Sequence, residues 1–268
     1  MHHPIEAEPA VGAPVADGDV RAGAPAVARA GRAAHTLPGL TIVLPCFNEA
    51  ENVADAIRYA TTAAERCATA HEVVIVDDGS SDATAAIAAR FADRDRRVRL
   101  VVHSGNQGYG DALRSGIAAA QMPWVLLTDA DLQFDLNDLE DFLPLAAQAD
   151  LVAGWRILRQ DPLNRRLNAA AWNWLVRRVF ALPVRDVDCA FKLIRRDLLE
   201  RCDLRATGAM ISTELLVQCL AAGGRLEQVG VHHRARVAGR QSGASPRVVA
   251  RAFRELAVLH RSLRAAQA

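Results

Sequence analysis

The chain has 268 residues, 51% of them hydrophobic and 24% charged, a globular composition that excludes collagen-like, wholly disordered and disulfide-dense small-domain classes. Its 32 Lys+Arg against 31 Asp+Glu leave a formal charge of +1, which supplies no global field to gather nucleic acid, so any affinity for anions must come from local clusters. The five cysteines never fall in a C-x-x-C spacing, which argues against a structural zinc site or a disulfide framework and points to a reducing compartment.

From Met1 to Pro38 the sequence is Ala, Pro, Gly and scattered charge without periodicity, and reads as a disordered tail. Leu40 to Leu44 is a short β-branched run of the kind that makes a strand buried on both faces, closed by Pro45. Asn48 with Glu51 forms a capping-box pattern ahead of a helix carrying Val53, Ala56, Ile57 and Ala60 at helical spacing. Val73 to Val76 is a second buried strand, ended by Asp77-Asp78-Gly79-Ser80-Ser81, and Asp82 to Phe91 reads as its helix. Val98 to Val102 is a third strand, followed by a glycine-rich turn and a helix from Tyr109 to Ala120. Trp124 to Leu127 is a fourth, ended by Asp129-Ala130-Asp131, with a helix from Asp138 to Gln148 and a second capping-box pattern at Asn137 and Glu140. Leu151 to Ala153 is a short fifth. Strands alternating with helices predict βαβ crossovers and a doubly wound, mostly parallel α/β sheet.

In open α/β sheets ligands bind outside the carboxyl ends of the strands. There the predicted loops carry Asn48 and Glu49, then Asp77 and Asp78, then Asp129, Asp131 and Gln133, a concentration of like charge that a chain without use for it rarely gathers. Asp129 and Asp131, two residues apart in an extended segment, would face one ligand together, an oxygen array suited to Mg²⁺ or Mn²⁺ shared with a substrate phosphate. Taken alone, D-x-D is more often one helix-capping Asp and one solvated loop charge, but its position after a buried strand and beside a second Asp pair favours the ligand reading. Asp77-Asp78 has a similar double reading, as turn chemistry or as a hydrogen-bond acceptor for base and sugar hydroxyls. Asn106-Gln107-Gly108-Tyr109-Gly110 is a tight turn that matches neither the G-x-G-x-x-G fingerprint nor a P-loop.

Taken together, Val43-Leu-Pro-Cys-Phe-Asn-Glu-Ala-Glu-Asn-Val53, Val76-Asp-Asp-Gly-Ser-Ser-Asp82, Asn106-Gln-Gly-Tyr-Gly-Asp-Ala-Leu-Arg-Ser-Gly116 and Thr128-Asp-Ala-Asp-Leu-Gln133 resemble the family 2 glycosyltransferases of the GT-A fold. The string is most similar to the dolichol-phosphate mannosyltransferase-like, or polyprenyl-phosphate sugar synthase, branch. The resemblance implies that Pro45, Phe47, Asn48, Glu49 and Asp77, with Asp78 and Asn106 beside them, hold the nucleotide. It places Asp129, Asp131 and Gln133 on the metal and diphosphate motif, with Mg²⁺ or Mn²⁺ as cofactor. Gly154-Trp-Arg156 matches a segment whose arginine lies near the diphosphate, and Asp186-Val-Asp-Cys-Ala-Phe-Lys192 a segment closing the acceptor side. Glu214 and Arg236 correspond to later landmarks. Where the branch binds lipid phosphate through an arginine and a serine one turn later, this chain has Arg165 and Ala169.

The implied activity is an inverting, metal-dependent transfer of a sugar from a nucleotide-sugar donor to a polyprenyl phosphate. Asp129, Asp131, Arg156 and Asp188 are the catalytic candidates, and Arg165, Lys192 and Arg236 the acceptor-phosphate candidates. A hydroxyl acceptor would need a base, Asp188 or Asp186, whereas a phosphomonoester, already largely dianionic at neutral pH, would not. Transfer to a soluble hydroxyl acceptor and an inactive nucleotide-sugar-binding module are the competing readings. Residues 162 to 182 form a basic amphipathic pattern with Trp172 and Trp174 that suits either a bilayer interface or a helix packed on the sheet. His232 and His233 read either as diphosphate contacts or as structural histidines. The expected divisions are a tail (1–38), a GT-A catalytic domain (39–245) and a C-terminal basic helix (246–268). With no bilayer-spanning apolar run and no signal-peptide core, the expected location is the cytoplasm, peripheral at the inner membrane face.

Overall fold

The computed structural model of the chain describes residues 36–157, 163–234 and 252–261, with residues 163–169 described by their backbone alone. The predicted strand and helix alternation is present: β1 (Leu40–Cys46), α1 (Val53–Cys67), β2 (His71–Asp77), α2 (Thr84–Ala92), β3 (Val98–Val102), α3 (Tyr109–Ala119), β4 (Trp124–Leu127), α4 (Leu139–Ala146) and β5 (Leu151–Ile157). It continues through α5 (Leu163–Phe180), β6 (Lys192–Arg195), α6 (Arg196–Leu199), α7 (Ile211–Ala221) and β7 (Leu226–His232), and residues 252–261 form a further helix, α8. The sheet has seven strands in the order β3-β2-β1-β4-β6-β5-β7. Strands β1 to β4 are parallel, β6 runs antiparallel to both β4 and β5, and β5 pairs with β7 in parallel.

The strand period of two sorts β1 into two cores. Leu40, Ile42 and Leu44 pack beneath α1 and α4 with Ile57, Leu139 and Phe142. Val43 faces the opposite layer, where α3, α5 and α7 contribute Leu113, Val176 and Leu215. Helix α3 lies so close to β1 that a Cβ on Gly116 would fall 2.2 Å from Val43 Cγ1. Among the described residues no helix is long and apolar enough to cross a membrane.

Three local expectations are corrected. Pro45 does not close β1, which runs on to Cys46 with Pro45 opposite Val76. Leu40 N bonds Ala70 O and Cys46 O accepts from Asp78 N, so even-numbered residues serve β2. Pro45 therefore turns its missing N–H toward β4, whose pairing has already ended at Leu127. Asn48 does not cap α1: it adopts a left-handed φ of 55°, and α1 begins only at Val53. The Asn137/Glu140 box does not form either, since Asp135 takes the cap role by accepting from Asn137 N at 3.0 Å. Leu37, inside the segment read as tail, is buried and bonded through its N–H to Cys67 O at 2.9 Å.

The β5–β7 edge is anchored at its start by Asp150, whose carboxylate accepts from Arg225 N at 3.1 Å and from Arg225 Nε at 2.9 Å. Those hydrogen bonds, working against burial, hold the Asp150 carboxyl down at about 2. A depressed carboxylate pKa stabilises the fold above the unfolded value near 4 and loses that contribution as pH falls through about 2. Because Arg225 is largely exposed, the stabilisation is about 1 kcal/mol. Urea denaturation of wild type and Asp150→Asn is expected to show that gap at pH 7 and its disappearance near pH 2.

Candidate functional site

The carboxyl ends of β1, β2 and β4 converge on one rim, and the acids predicted there are found there. Their combined field is visible at Cys46, whose thiol pKa burial pushes well up and the carboxylates of Glu49, Asp77, Asp129 and Asp82 push higher. The loops after β1 and β2 are stitched together rather than merely adjacent. Asn48 N donates to Ser80 Oγ at 2.8 Å and Asn48 Oδ1 accepts from Ser81 N at 2.9 Å. Glu49 N donates to Thr84 Oγ1 at 2.9 Å and Ala50 N to Asp82 Oδ2 at 3.1 Å. Phe47 is left exposed at the lip of this loop.

The adjacent acids of β2 divide their work. Asp78 Oδ1 accepts from Gln107 N, Asp78 Oδ2 accepts from Gly108 N, both at 2.9 Å, and His103 Nδ1 lies 2.7 Å from Oδ1. Asp78 therefore spends its carboxylate on the β3–α3 loop instead of facing a ligand as expected. His103, bonded on its other side to Ser115 Oγ at 2.9 Å, was not among the predicted residues. Asp77 is only 1% exposed; its Oδ2 accepts from Ser80 N at 3.1 Å, while Oδ1 is buried with no hydrogen-bond partner. A hydrogen-bond donor brought to this oxygen would satisfy it. Asn106 is exposed on the loop that Asp78 holds.

Asp129 and Asp131 lie beyond the end of β4 in a bend, not in the extended segment expected, and both are partly exposed. The Tyr109 hydroxyl donates to Asp129 Oδ1 at 3.0 Å. Burial first, and then Asp129, raises the Tyr109 pKa well above its ordinary value, so the phenol keeps that proton. Asp131 Oδ1 accepts from Gln133 N at 3.1 Å across Leu132, whose φ of 60° is a strained backbone for a residue with a Cβ. The strain is held by the segment just after β7: Arg234 N donates to Gln133 O at 2.8 Å and Gln133 Nε2 donates to Arg234 O at 3.0 Å. Gln133 thus fastens the bend through its amide nitrogen. Among the described residues no three or more His, Cys, Asp or Glu side chains converge on one point as a metal cage. Two part-exposed carboxylates in a clamped bend fit a hard divalent cation that completes its coordination with phosphate and water. A cleft of about 210 Å³ opens beside Asp129, lined by Leu44, Tyr59, Thr128, Leu132 and Arg234 among others.

The acceptor-side candidates are placed differently. Arg156 forms a buried bidentate pair with Asp186, Nε to Oδ2 at 2.7 Å and Nη2 to Oδ1 at 2.8 Å. Burial opposes the charge on Arg156, but Asp186 outweighs it and raises the guanidinium pKa above its ordinary value. Lys192, expected at an acceptor phosphate, is 1% exposed, and its ammonium donates to the carbonyls of Val187 (3.2 Å) and Cys189 beneath the turn. Burial draws its pKa down. Asp188 is half-buried in that turn, close enough to act electrostatically on both Arg156 and Lys192. Glu214 is a structural clamp, accepting from Arg205 N at 2.9 Å and Ala206 N at 2.7 Å. His232 is tied to Asp138 through its backbone N at 2.6 Å and Nδ1 at 2.9 Å, and His233 packs edge-on against Phe134, so both sit in structural roles. Arg165 lies on the α5 backbone, and Arg236 falls outside the described residues.

A model of glycosyl transferase family 2 matches residues 41–203. An undecaprenyl-phosphate 4-deoxy-4-formamido-L-arabinose transferase of Salmonella choleraesuis is 29% identical over 208 residues, 75% of this chain; the chain spans only 61% of the length of that relative. Among solved structures, mannosyl-3-phosphoglycerate synthase from Rubrobacter xylanophilus superposes with a TM-score of 0.64 at 20% identity, covering 85% of this chain and 75% of that one. Glucosyl-3-phosphoglycerate synthase from Mycobacterium tuberculosis, in complex with Mn²⁺, uridine diphosphate and glucosyl-3-phosphoglycerate, gives 0.57 at 20% identity, covering 84% and 76%. These two establish a shared GT-A fold.

The division between Asp77 and Asp78 is directly testable. In Asp78→Asn the new amide NH₂ faces N–H donors, so the variant is expected to lose about 3 kcal/mol in denaturant melts and to expose the Gln107 and Gly108 amides to exchange. Asp77→Asn can keep its carbonyl oxygen on Ser80 N and breaks no second hydrogen bond, so it should move stability by less than about 1 kcal/mol.

Proposed function

This chain belongs to glycosyl transferase family 2, and on that footing we propose that it moves a sugar from a nucleoside-diphosphate donor to a polyprenyl phosphate, with inversion and with a divalent cation. The observation that carries the reading is the rim itself: a clamped D-x-D bend beside a buried carboxylate oxygen, Asp77 Oδ1, that lacks a donor. Hydroxyl or amide donors of a nucleoside are the chemistry that completes Asp77, and we assign Pro45, Phe47, Asn48 and Glu49 to the same nucleotide. Asp78 and Asn106 act on the nucleotide through the loop they build. Asp129 and Asp131 would hold Mg²⁺ or Mn²⁺, with Gln133 keeping their bend in shape. Once bound, such a cation offsets the charge that develops on the departing diphosphate.

The chain's own groups do the rest. Tyr109 fixes one oxygen of Asp129 and so orients that carboxylate at the rim. Arg156, locked by Asp186, presents a permanently charged guanidinium toward the acceptor side, where it supports the diphosphate electrostatically. The carboxylates around the sugar favour oxocarbenium character, and attack from the opposite face inverts the anomeric carbon. A phosphate dianion needs no base, so Asp188 is left to orient the acceptor; with a hydroxyl acceptor Asp188 would take the proton.

The lipid acceptor is favoured by the undecaprenyl-phosphate relative and by the outer face of α5. Trp174 is 68% exposed beside exposed Arg177 and Arg178, while Asn173 and Val176 face inward. Exposed Phe253 and Val258 on α8 extend the same apolar and basic character, with Phe253 packed edge-on to Trp172. Such a surface suits peripheral contact with an anionic bilayer at the cytoplasmic face, and Arg165 and Arg236 are the further arginines we assign to the lipid phosphate.

Purified full chain incubated with radiolabelled UDP-, GDP- or dTDP-sugars, Mn²⁺ and undecaprenyl phosphate is expected to move label into the organic phase. EDTA should abolish the transfer, and Asp131→Asn should lower kcat at least about 100-fold. Donor consumption with all label remaining in water would overturn the lipid acceptor. Independently, Trp174→Ala should reduce sedimentation with vesicles containing anionic lipid while leaving nucleotide binding unchanged.

A further inference from the structure

All five cysteines are free; four are buried, and Cys202 alone is partly exposed. Cys202 ends the turn that follows α6, and Cys219 lies on the buried face of α7, with their sulfur atoms 3.7 Å apart. The two segments are already held in register by Arg201, which donates from Nε to Asp197 O at 3.2 Å and from Nη1 to Ala222 O at 3.1 Å. A disulfide requires the sulfurs at about 2 Å, so side-chain rotation has less than about 2 Å to make up between them.

We propose that Cys202 and Cys219 form a modification site, a thiol pair that a peroxide-class oxidant closes to a disulfide. In the first step the Cys202 sulfur attacks a peroxide oxygen and breaks the O–O bond, giving a sulfenic acid and, from hydrogen peroxide, one water. In the second, Cys219 sulfur displaces the sulfenic oxygen, which leaves as a second water as the S–S bond forms. The two thiols lose two protons and two electrons, and the peroxide gains them. Exposure assigns Cys202 as the attacking residue and burial assigns Cys219 as the resolving one. In keeping with that order, the hydrogen bond between the two thiols, reinforced by the charge of Arg201, holds the Cys202 thiol below its ordinary pKa.

The disulfide would tether the loop that reaches the rim. Gln218 and Glu214, on the same helix as Cys219, hold the 203–206 backbone: Asp203 N donates to Gln218 Oε1 at 2.6 Å, and Arg205 N and Ala206 N donate to Glu214. The loop in turn seats the start of α3. Gly110 N donates to Thr207 O at 2.9 Å, and a Cβ on Gly110 would lie 2.2 Å from Ala206 O. Tyr109, the residue before Gly110, carries the hydroxyl bonded to Asp129.

The test does not rely on the transferase reading. The full chain, treated with hydrogen peroxide in its folded state and then denatured, should titrate three thiols instead of five, and its digest should contain a peptide pair linked through Cys202 and Cys219. Cys202→Ser and Cys219→Ser should each abolish that link. Amides of Arg205 and Ala206 should exchange more slowly in the oxidised protein and recover with dithiothreitol. Five intact thiols in a protein that remains folded, Cys202 driven to sulfinic acid with Cys219 still free, or a link through another cysteine would each overturn the proposal. Unchanged exchange in the linked protein would overturn the tethering of the loop.

Discussion

The carboxylate of Asp78 is the interaction on which the rim depends. Buried at the end of β2, it gathers the Gln107 and Gly108 amides and the His103 ring into one acceptor, and in doing so bends the chain from β3 into α3. An ionised group bound by several donors resists reorganisation more than the neutral amide of a common turn would, because releasing any of them leaves charge buried without compensation. Everything downstream inherits that bend: α3 starts at Tyr109, Tyr109 reaches Asp129, and Gly110 abuts the 206–207 carbonyls. The loop's composition follows from the same constraint, since Gly108, at a φ of 109°, occupies backbone space denied to residues with a Cβ.

Gathering six acids at one rim sets an electrostatic problem, and the fold solves it with unequal partners. Asp78 and Asp82 are neutralised by backbone amides and hydroxyls, Glu49 accepts from Asn52 Nδ2 at 2.7 Å, and Asp129 takes the Tyr109 hydroxyl. Asp77 Oδ1 is buried without such an offset, and Leu132, like Asn48 on the same rim, is held at a positive φ. Both lie where a bound ligand could relieve them, which is the usual location of stored conformational and electrostatic cost in a working site.

β1, β2 and β4 were legible because each is an apolar run buried on both faces with an acid close behind it, and β3 because Val98, Leu100, Val101 and Val102 end at a polar, glycine-containing loop. β6 was not legible: Lys192-Leu-Ile-Arg195 is four residues long, antiparallel, and opens on a lysine that tertiary carbonyls alone make tolerable in the core. α7 escaped for the opposite reason, since almost every side is buried and no polar stripe marks its period. The acids of the rim were readable as a set, but not their division of labour. Nothing in Asp77-Asp78 says which side chain will meet the amides of a loop thirty residues away, and the same ignorance placed Lys192 at a phosphate instead of beneath a turn. Capping boxes failed at Asn48 and Asn137 because longer-range partners, Ser81 and Arg66, competed successfully for those side chains.

The acceptor side is built by a different kind of constraint. Asn173 Oδ1 accepts from Val187 N at 2.8 Å, Lys192 holds the carbonyls of Val187 and Cys189, and Asp186 grips Arg156, so the 186–189 turn joins α5, β5 and β6 through polar bonds inside the core. With Asn173 and Val176 fixed inward, helical geometry leaves Trp174, Arg177 and Arg178 no choice but to face outward. The exposed tryptophan and arginines therefore stand at a set distance from Asp188 and Arg156 rather than on an independent appendage. A surface that engages a bilayer through α5 would by the same bonds register its lipid head groups against the turn beside the rim, and displacement of α5 would be felt first at Val187 and then at the buried Arg156–Asp186 pair.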